Sequence, residues 1–158
     1  MKKGKFLLSV IFALFFGLSN ISSADEAYIA SFNILRLGAV KKDIPQTAKL
    51  LQGFDIVGLV EVINRDGVEE LVDELNKQGN EKWDYHISPF GVGSSKYKEY
   101  FAYVYKKDKV KFIKSEGFYK DGKSSLLREP YGATFKIGNF DFTLVLVHTI
   151  YGNNEAQR

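Results

Sequence analysis

The feature that most constrains the fold is a near-continuous apolar run, Asp55 to Val62, between two stretches of helical periodicity. Such a run is typical of a strand that is covered on both faces of its sheet. The segment before it, Ala27 to Asn33, alternates like a shorter strand. Helical patterns run from Asp43 to Gly53 and from Asp66 to Gly79, so the sequence predicts strand, helix, strand, helix in that order.

After Trp83 the pattern changes to short β-like runs without helical signals. Gly138 and Asn139 separate two alternating runs and predict a two-residue hairpin turn. The segment Gly91 to Ser95 is predicted to be a mobile loop. The predicted strands are Tyr85 to Ser88, Tyr100 to Tyr105, Val110 to Phe118, Ala133 to Ile137 and Phe140 to Val147. The fold class is therefore α/β with a largely antiparallel sheet, and 158 residues suit one domain.

The first 24 residues have the pattern of a secretory signal peptide. Three early lysines precede an uncharged apolar run, Phe6 to Leu18, and a small polar stretch ends at Ala24. A membrane-anchoring helix is the alternative, but a membrane span needs about 20 apolar residues and this run is shorter. We expect cleavage near Ala24, a mature domain over 25–158 that is secreted or periplasmic, and no stable membrane anchor.

Removal of this segment also removes the basic excess of the chain. Without its three lysines the 22 basic residues become 19, which equals the 19 acidic residues. A polyanionic partner must therefore be argued from local clusters. The chain has no cysteine, which excludes disulfides and thiolate metal ligands.

Polar residues that can carry chemistry stand where predicted strands end or loops begin. They are Asn33, Glu61, Glu99, the group Arg128-Glu129-Pro130, and His148. A single Glu on a strand is usually an exposed residue. His148 ends the most apolar predicted strand, where a histidine is either a satisfied core residue or an acid/base group.

Taken together, these segments resemble the start of the endonuclease/exonuclease/phosphatase family, whose best-known member is pancreatic deoxyribonuclease. The resemblance runs from about Ala27 to the last residue, and its strength lies in the order and spacing of the motifs. The motifs are Ser31-Phe32-Asn33, Val60-Glu61-Val62, Tyr97-Lys98-Glu99, Arg128-Glu129-Pro130 and Val147-His148-Thr149. It implies a four-layer α/β/β/α sandwich of the deoxyribonuclease I-like type, truncated to about its first half.

The resemblance also implies roles for individual residues. Glu61 would bind Mg²⁺, or else Mn²⁺ or Ca²⁺, with Asn33 beside the metal and the scissile phosphate. His148 would protonate the leaving oxygen, and Glu99 would fix the tautomer of its ring. Arg128 and Tyr97 would contact the substrate.

The stretch Lys96 to Lys114 holds seven lysines with Tyr and Phe interleaved. Nucleic-acid backbones favour such a surface, but lysines also protect solvated edge strands, and the sequence does not separate the two.

The sequence departs from the family pattern in two places near Glu61. Val60 stands where the family usually has Gln, and Ile63 stands where the pancreatic enzyme has a DNA-contacting arginine, although Arg65 is close. The later acidic, amide and histidine residues of the family, which include the general base, belong to a second half that is expected to be missing. Half of such a sandwich would leave an apolar face exposed.

The implied function is that of an exported, metal-dependent phosphodiester hydrolase, an endonuclease with DNA favoured over RNA as substrate. One alternative is a phosphodiesterase or phosphatase acting on a lipid or small-molecule phosphate. Another is a non-catalytic exported module that binds nucleic acid.

Overall fold

The computed structural model describes residues 26–120, 122 and 126–150. The predicted signal peptide lies outside the described residues, as do residues 151–158. The described elements, in chain order, are β1 (Ile29–Leu37), α1 (Ile44–Leu51), β2 (Ile56–Val62), α2 (Arg65–Gln78), β3 (Trp83–Ile87), β4 (Val92–Gly93), β5 (Lys98–Lys106), β6 (Val110–Phe118), β7 (Tyr131–Ile137) and β8 (Phe140–Leu146).

Both helices begin at side-chain caps. The carboxylate of Asp43 accepts a hydrogen bond from the backbone N–H of Gln46 at 3.0 Å, which satisfies a free donor in the first turn of α1. Asn64 does the same for α2 by accepting from the N–H of Gly67 at 2.9 Å. Because Asn64 is the cap, α2 begins one residue before the predicted start at Asp66.

The strands form two sheets. The first has the order β1-β2-β5-β3, with β4 paired to β5, and the second has the order β6-β7-β8. Only the β1–β2 pair is parallel among the described strands, so the prediction of a largely antiparallel α/β fold is confirmed.

The predicted loop Gly91 to Ser95 is wrong in part, because it contains β4. Val92 pairs with Glu99, and Gly93 pairs with Lys98. Val92 is buried in the second core, which gives this short strand an apolar anchor. Gly93 has a φ of 131°, a conformation that favours glycine.

The first sheet is covered on both faces, which explains the apolar run of β2. Val57 and Leu59 pack with the helices in one core, whereas Ile56 and Val60 pack in a second core between the two sheets. Gly58 allows the sheets to approach, since a Cβ there would lie 2.4 Å from Cδ2 of Leu146. The described residues thus form helix, sheet and sheet layers, three layers of the predicted sandwich.

The outer face of the second sheet carries exposed apolar side chains, as predicted for half of a sandwich. Val145 and Val147 are 57% and 55% exposed. With Phe118, Tyr119 and Pro130 they line an open groove on this face. Within the described ranges, neither helix has the length and apolar character needed to cross a membrane.

Candidate active site

Asn33 and Glu61 meet where the parallel strands β1 and β2 both become irregular. The pairing register shifts after Asn33 in β1 and between Leu59 and Val62 in β2. Nδ2 of Asn33 donates a hydrogen bond to Oε1 of Glu61 at 2.8 Å. The two irregular strands thereby bring an amide and a carboxylate into direct contact, and the amide orients the carboxylate.

Backbone strain is concentrated at the same place. Leu35, Arg36 and Glu61 are the non-glycine residues with positive φ in the described part of the chain, at 48°, 58° and 61°. Such conformations cost on the order of 1 to 3 kcal/mol each and persist where neighbouring contacts impose them. One such contact is visible, because Oδ1 of Asn33 accepts from the N–H of Leu35 at 2.9 Å.

His148 follows β8 and lies between the two glutamates. Its Nδ1 is hydrogen bonded to Oε1 of Glu99, and its Nε2 lies 3.6 Å from Oε1 of Glu61. Glu99 is fully buried in β5, which is the strand next to β2. With Nδ1 occupied by Glu99, Nε2 is the ring nitrogen that faces Glu61 and any group bound there.

Arg128 also contacts the buried carboxylate of Glu99. Its Nε lies 3.2 Å from Oε1 of Glu99, and its side chain is 14% exposed. The contact is an ion pair without hydrogen-bond alignment, and Oε2 of Glu99 has no hydrogen-bond partner among the described residues. Arg128 therefore supplies a compensating charge to Glu99, while contact with a substrate phosphate stays a prediction.

Tyr97 lies beside these charged groups, just before β5. Burial, and then the charges of Glu99 and Glu61, raise the pKa of its hydroxyl, whereas Arg36 and Arg128 oppose the rise. The guanidinium carbon of Arg36 lies 5.6 Å from the centre of the Tyr97 ring. All six residues predicted from the sequence therefore lie in one neighbourhood, and Arg36 joins them although nothing in its sequence context singled it out.

The stretch Lys96 to Lys114 does not form a single basic surface. Lys106 and Lys109 place their Nζ atoms 3.5 and 2.8 Å from the carboxylate of Asp55. Its aromatic residues Phe101, Tyr103 and Tyr105 are buried, because β5 is a central strand and not an edge. Neither of the two interpretations left open for this stretch describes it as a whole.

His86 and Arg65 make their described contacts with groups other than those of the candidate site. Nε2 of His86 is 2.7 Å from the hydroxyl of Tyr131 on β7. Nη1 of Arg65 donates to the hydroxyl of Tyr85 at 3.1 Å, and the Tyr85 hydroxyl donates to Glu69 at 2.6 Å. Arg65 is thus held against β3, which does not favour a substitute role beside Glu61.

The candidate ligand for a divalent metal ion is the carboxylate of Glu61. The described residues contain no group of three or more His, Cys, Asp or Glu side chains arranged around an ion. Mg²⁺ is often bound through one or two carboxylates, with water and substrate phosphate completing its six ligands. Glu61 can supply one such carboxylate oxygen. Asn33 uses its amide to orient Glu61, and its role as a ligand stays a prediction.

Known proteins with similar sequences are deoxyribonucleases. The chain is 32% identical over 133 residues to a deoxyribonuclease of Thioalkalivibrio, and 28% identical over 172 aligned positions to human deoxyribonuclease-1. The matches cover 82% and 98% of this chain but 37% and 58% of those proteins. No family model matches the chain.

Solved structures agree on the fold. An endonuclease/exonuclease/phosphatase family protein from Leptotrichia buccalis superposes with a TM-score of 0.54 at 13% identity, over 83% of this chain and 56% of that one. A humanized D. rerio TDP2 superposes with a TM-score of 0.52 at 20% identity, over 82% and 52%. The deoxyribonuclease matches and this fold together confirm the predicted resemblance to the deoxyribonuclease I-like proteins of the endonuclease/exonuclease/phosphatase family. The chain spans roughly half the length of the relatives it matches.

Proposed function

We propose that the chain contributes the Glu61, Glu99 and His148 part of an exported, metal-dependent phosphodiester hydrolase that cleaves DNA internally. The observation that carries the proposal is the position of His148. One nitrogen of its ring is held by a buried carboxylate, and the other faces Glu61 at 3.6 Å. These contacts support a role for His148 as a proton donor beside a carboxylate that would suit a hard cation, a pairing that phosphodiester hydrolysis uses.

The chemistry follows from these positions. Glu61 would hold the ion, which when bound would stabilise negative charge on the phosphoryl oxygens. As the bond between phosphorus and the leaving oxygen breaks, Nε2 of His148 would give its proton to that oxygen. Glu99 holds Nδ1 of the ring, so that Nε2 would face the reacting phosphate, and Arg128 balances the charge of Glu99. We propose that the group that activates water belongs to a segment equivalent to the part of the relatives that this chain does not match.

DNA is the proposed substrate because the matched relatives are deoxyribonucleases. The proposal of export rests on the signal-like first 24 residues. The proposal of Mg²⁺ rests on the carboxylate oxygen that Glu61 can donate.

The test of the metal role is a plasmid-nicking assay that compares Glu61→Gln with the control variant Glu70→Gln. Glu70 is an exposed residue of α2 and gives the same change in charge. The protein is the chain joined to the C-terminal part of the Thioalkalivibrio deoxyribonuclease, assayed over a range of Mg²⁺ concentrations. We expect Glu70→Gln to nick DNA like the unsubstituted protein, and Glu61→Gln to lose about 100-fold or more in rate, since an ion clamp on a phosphoryl group is worth several kcal/mol.

Nicking by Glu61→Gln at the normal rate and Mg²⁺ dependence would contradict the role of Glu61. DNA binding that survives Glu61→Ala and His148→Ala, with no cleavage by any form in any divalent metal, would instead favour a binding module.

A further inference from the structure

Arg36 is a cation at the edge of the candidate site with no assigned role. It is exposed at the irregular end of β1, and its guanidinium lies 5.6 Å from the centre of the Tyr97 ring. Within the described ranges this guanidinium donates no hydrogen bond to a carboxylate and forms no ion pair. Its planar set of donors is therefore available to a ligand while the ring of Tyr97 supports its face.

The backbone at Arg36 is held in the left-handed conformation, which non-glycine residues seldom adopt. Its φ is 58°, and its carbonyl accepts from the N–H groups of Ala39 and Val40 at 3.0 and 3.2 Å. The preceding residue, Leu35, is tied to Oδ1 of Asn33, whose Nδ2 donates to Glu61. The position of Arg36 is thus coupled through Asn33 to the carboxylate proposed to hold the metal.

Arg65 provides a contrast, because it lies over a tyrosine in the same way but has its donors in use. Its guanidinium is 5.7 Å from the centre of the Tyr85 ring and also donates to the Tyr85 hydroxyl. That hydroxyl continues to Glu69, so the arginine is part of a closed network within the protein. Arg36 has the stacking contact without the network, which is the arrangement expected of a site for an external anion.

We propose that Arg36, supported by Tyr97, binds a backbone phosphate of a DNA strand adjacent to the phosphodiester that is cleaved. The proposal rests on the proposed function for the identity of the ligand. A guanidinium is suited to a phosphate because its parallel N–H groups match two phosphate oxygens. Contact with a second phosphate would make the site bind a DNA strand more tightly than a molecule with a single phosphodiester.

The experiment is equilibrium binding of a short fluorescein-labelled DNA duplex to the purified chain across a range of salt concentrations, without divalent metal. The logarithm of the binding constant falls linearly with the logarithm of the salt concentration, and each phosphate contact to duplex DNA adds about 0.9 to the magnitude of this slope. We expect Arg36→Gln to reduce the magnitude of that slope by about 1. Arg36→Lys should keep most of the original slope because the charge is kept. Arg65→Gln, which removes the same charge, is expected to leave the slope unchanged.

The binding measurement does not depend on cleavage, so its outcome is separate from that of the proposed function. An unchanged slope in Arg36→Gln would overturn the proposal, as would equal losses in Arg36→Gln and Arg65→Gln, which would show an effect of net charge alone. Absence of salt-dependent binding by the unsubstituted chain would overturn it too. If the slope falls only in Arg36→Gln while no form cleaves DNA, the Arg36 contact stands and the hydrolase proposal fails.

Discussion

The two histidines of the chain differ in their surroundings. At the scale of the residue, the surroundings of His86 predict an effect of pH on the stability of the folded chain. His86 lies between the sheets with its ring 4.2 Å from that of Phe112 and its Nε2 against Tyr131. Burial, and then the charge of Arg65, hold the pKa of His86 below its ordinary value of 6.5. The folded state therefore binds the proton less readily than the unfolded state does.

It follows that His86 contributes its full stability above about pH 6.5, and that this contribution is lost as the pH falls toward the lower folded pKa. We expect the melting temperature to fall more between about pH 7 and pH 5 in the unsubstituted chain than in His86→Phe. The phenyl ring keeps the stacking on Phe112 but does not titrate. Thermal denaturation followed by circular dichroism measures the difference, and equal falls would show that His86 is not a source of acid sensitivity.

Individual residues also show how far a sequence can predict a site. The short motifs predicted Asn33, Glu61, Glu99 and His148 as candidates because the type of each residue and the order of the motifs are visible in one dimension. They could not show that Glu99 is fully buried, since lysines stand nearby at 96 and 98 and the burial depends on β5 being a central strand. Arg36 was missed for the same reason, because its contact with Tyr97 joins residues far apart in sequence.

At the scale of the element, Gly58 in the middle of β2 determines how closely β8 can approach. A Cβ at this position would lie 2.4 Å from Cδ2 of Leu146, a buried side chain that would have to move. We expect Gly58→Ala to lower the free energy of unfolding by about 1 to 3 kcal/mol, as overpacking does in cores. Urea denaturation measures this.

Gly53→Ala is the matched control for Gly58→Ala. Its Cβ would come no closer than 4.0 Å to its nearest neighbour, the carbonyl oxygen of Leu50, so we expect little change. The double substitution Gly58→Ala with Leu146→Ala should cost less than the sum of the two single changes, because removing the Leu146 side chain removes the clash. Additive costs would indicate that Gly58 and Leu146 are not in the predicted contact.

Elements with a strong repeating pattern were the predictable part of the fold. Helices α1 and α2 and the apolar strand β2 follow from spacing and capping, which are local properties of the sequence. β4 was not predictable, because two residues carry no periodicity and Val92 is in a strand only by pairing with Glu99. The continuation of β1 through Leu35 and Arg36 was missed as well, since positive φ at non-glycine residues is imposed by distant contacts.

At the scale of the whole molecule, the described residues form three layers and leave the outer face of the second sheet uncovered. The strand order β6-β7-β8 could not be read from the sequence, although the hairpin turn between β7 and β8 could. This organisation places His148, from the end of the second sheet, against Glu61 and Glu99 from the first. The candidate site therefore depends on the packing of one sheet against the other.

The most direct test of the account compares the two histidines in one assay. The chain is joined to the C-terminal part of the Thioalkalivibrio deoxyribonuclease, and plasmid nicking in Mg²⁺ is measured for the unsubstituted protein, for His148→Ala and for His86→Phe, with the C-terminal part alone as a blank. We predict that the joined protein nicks DNA, that His86→Phe does so at a similar rate, and that His148→Ala loses about 100-fold or more, as expected for removal of a general acid. Undiminished nicking by His148→Ala, or no nicking by the joined protein, would contradict the account.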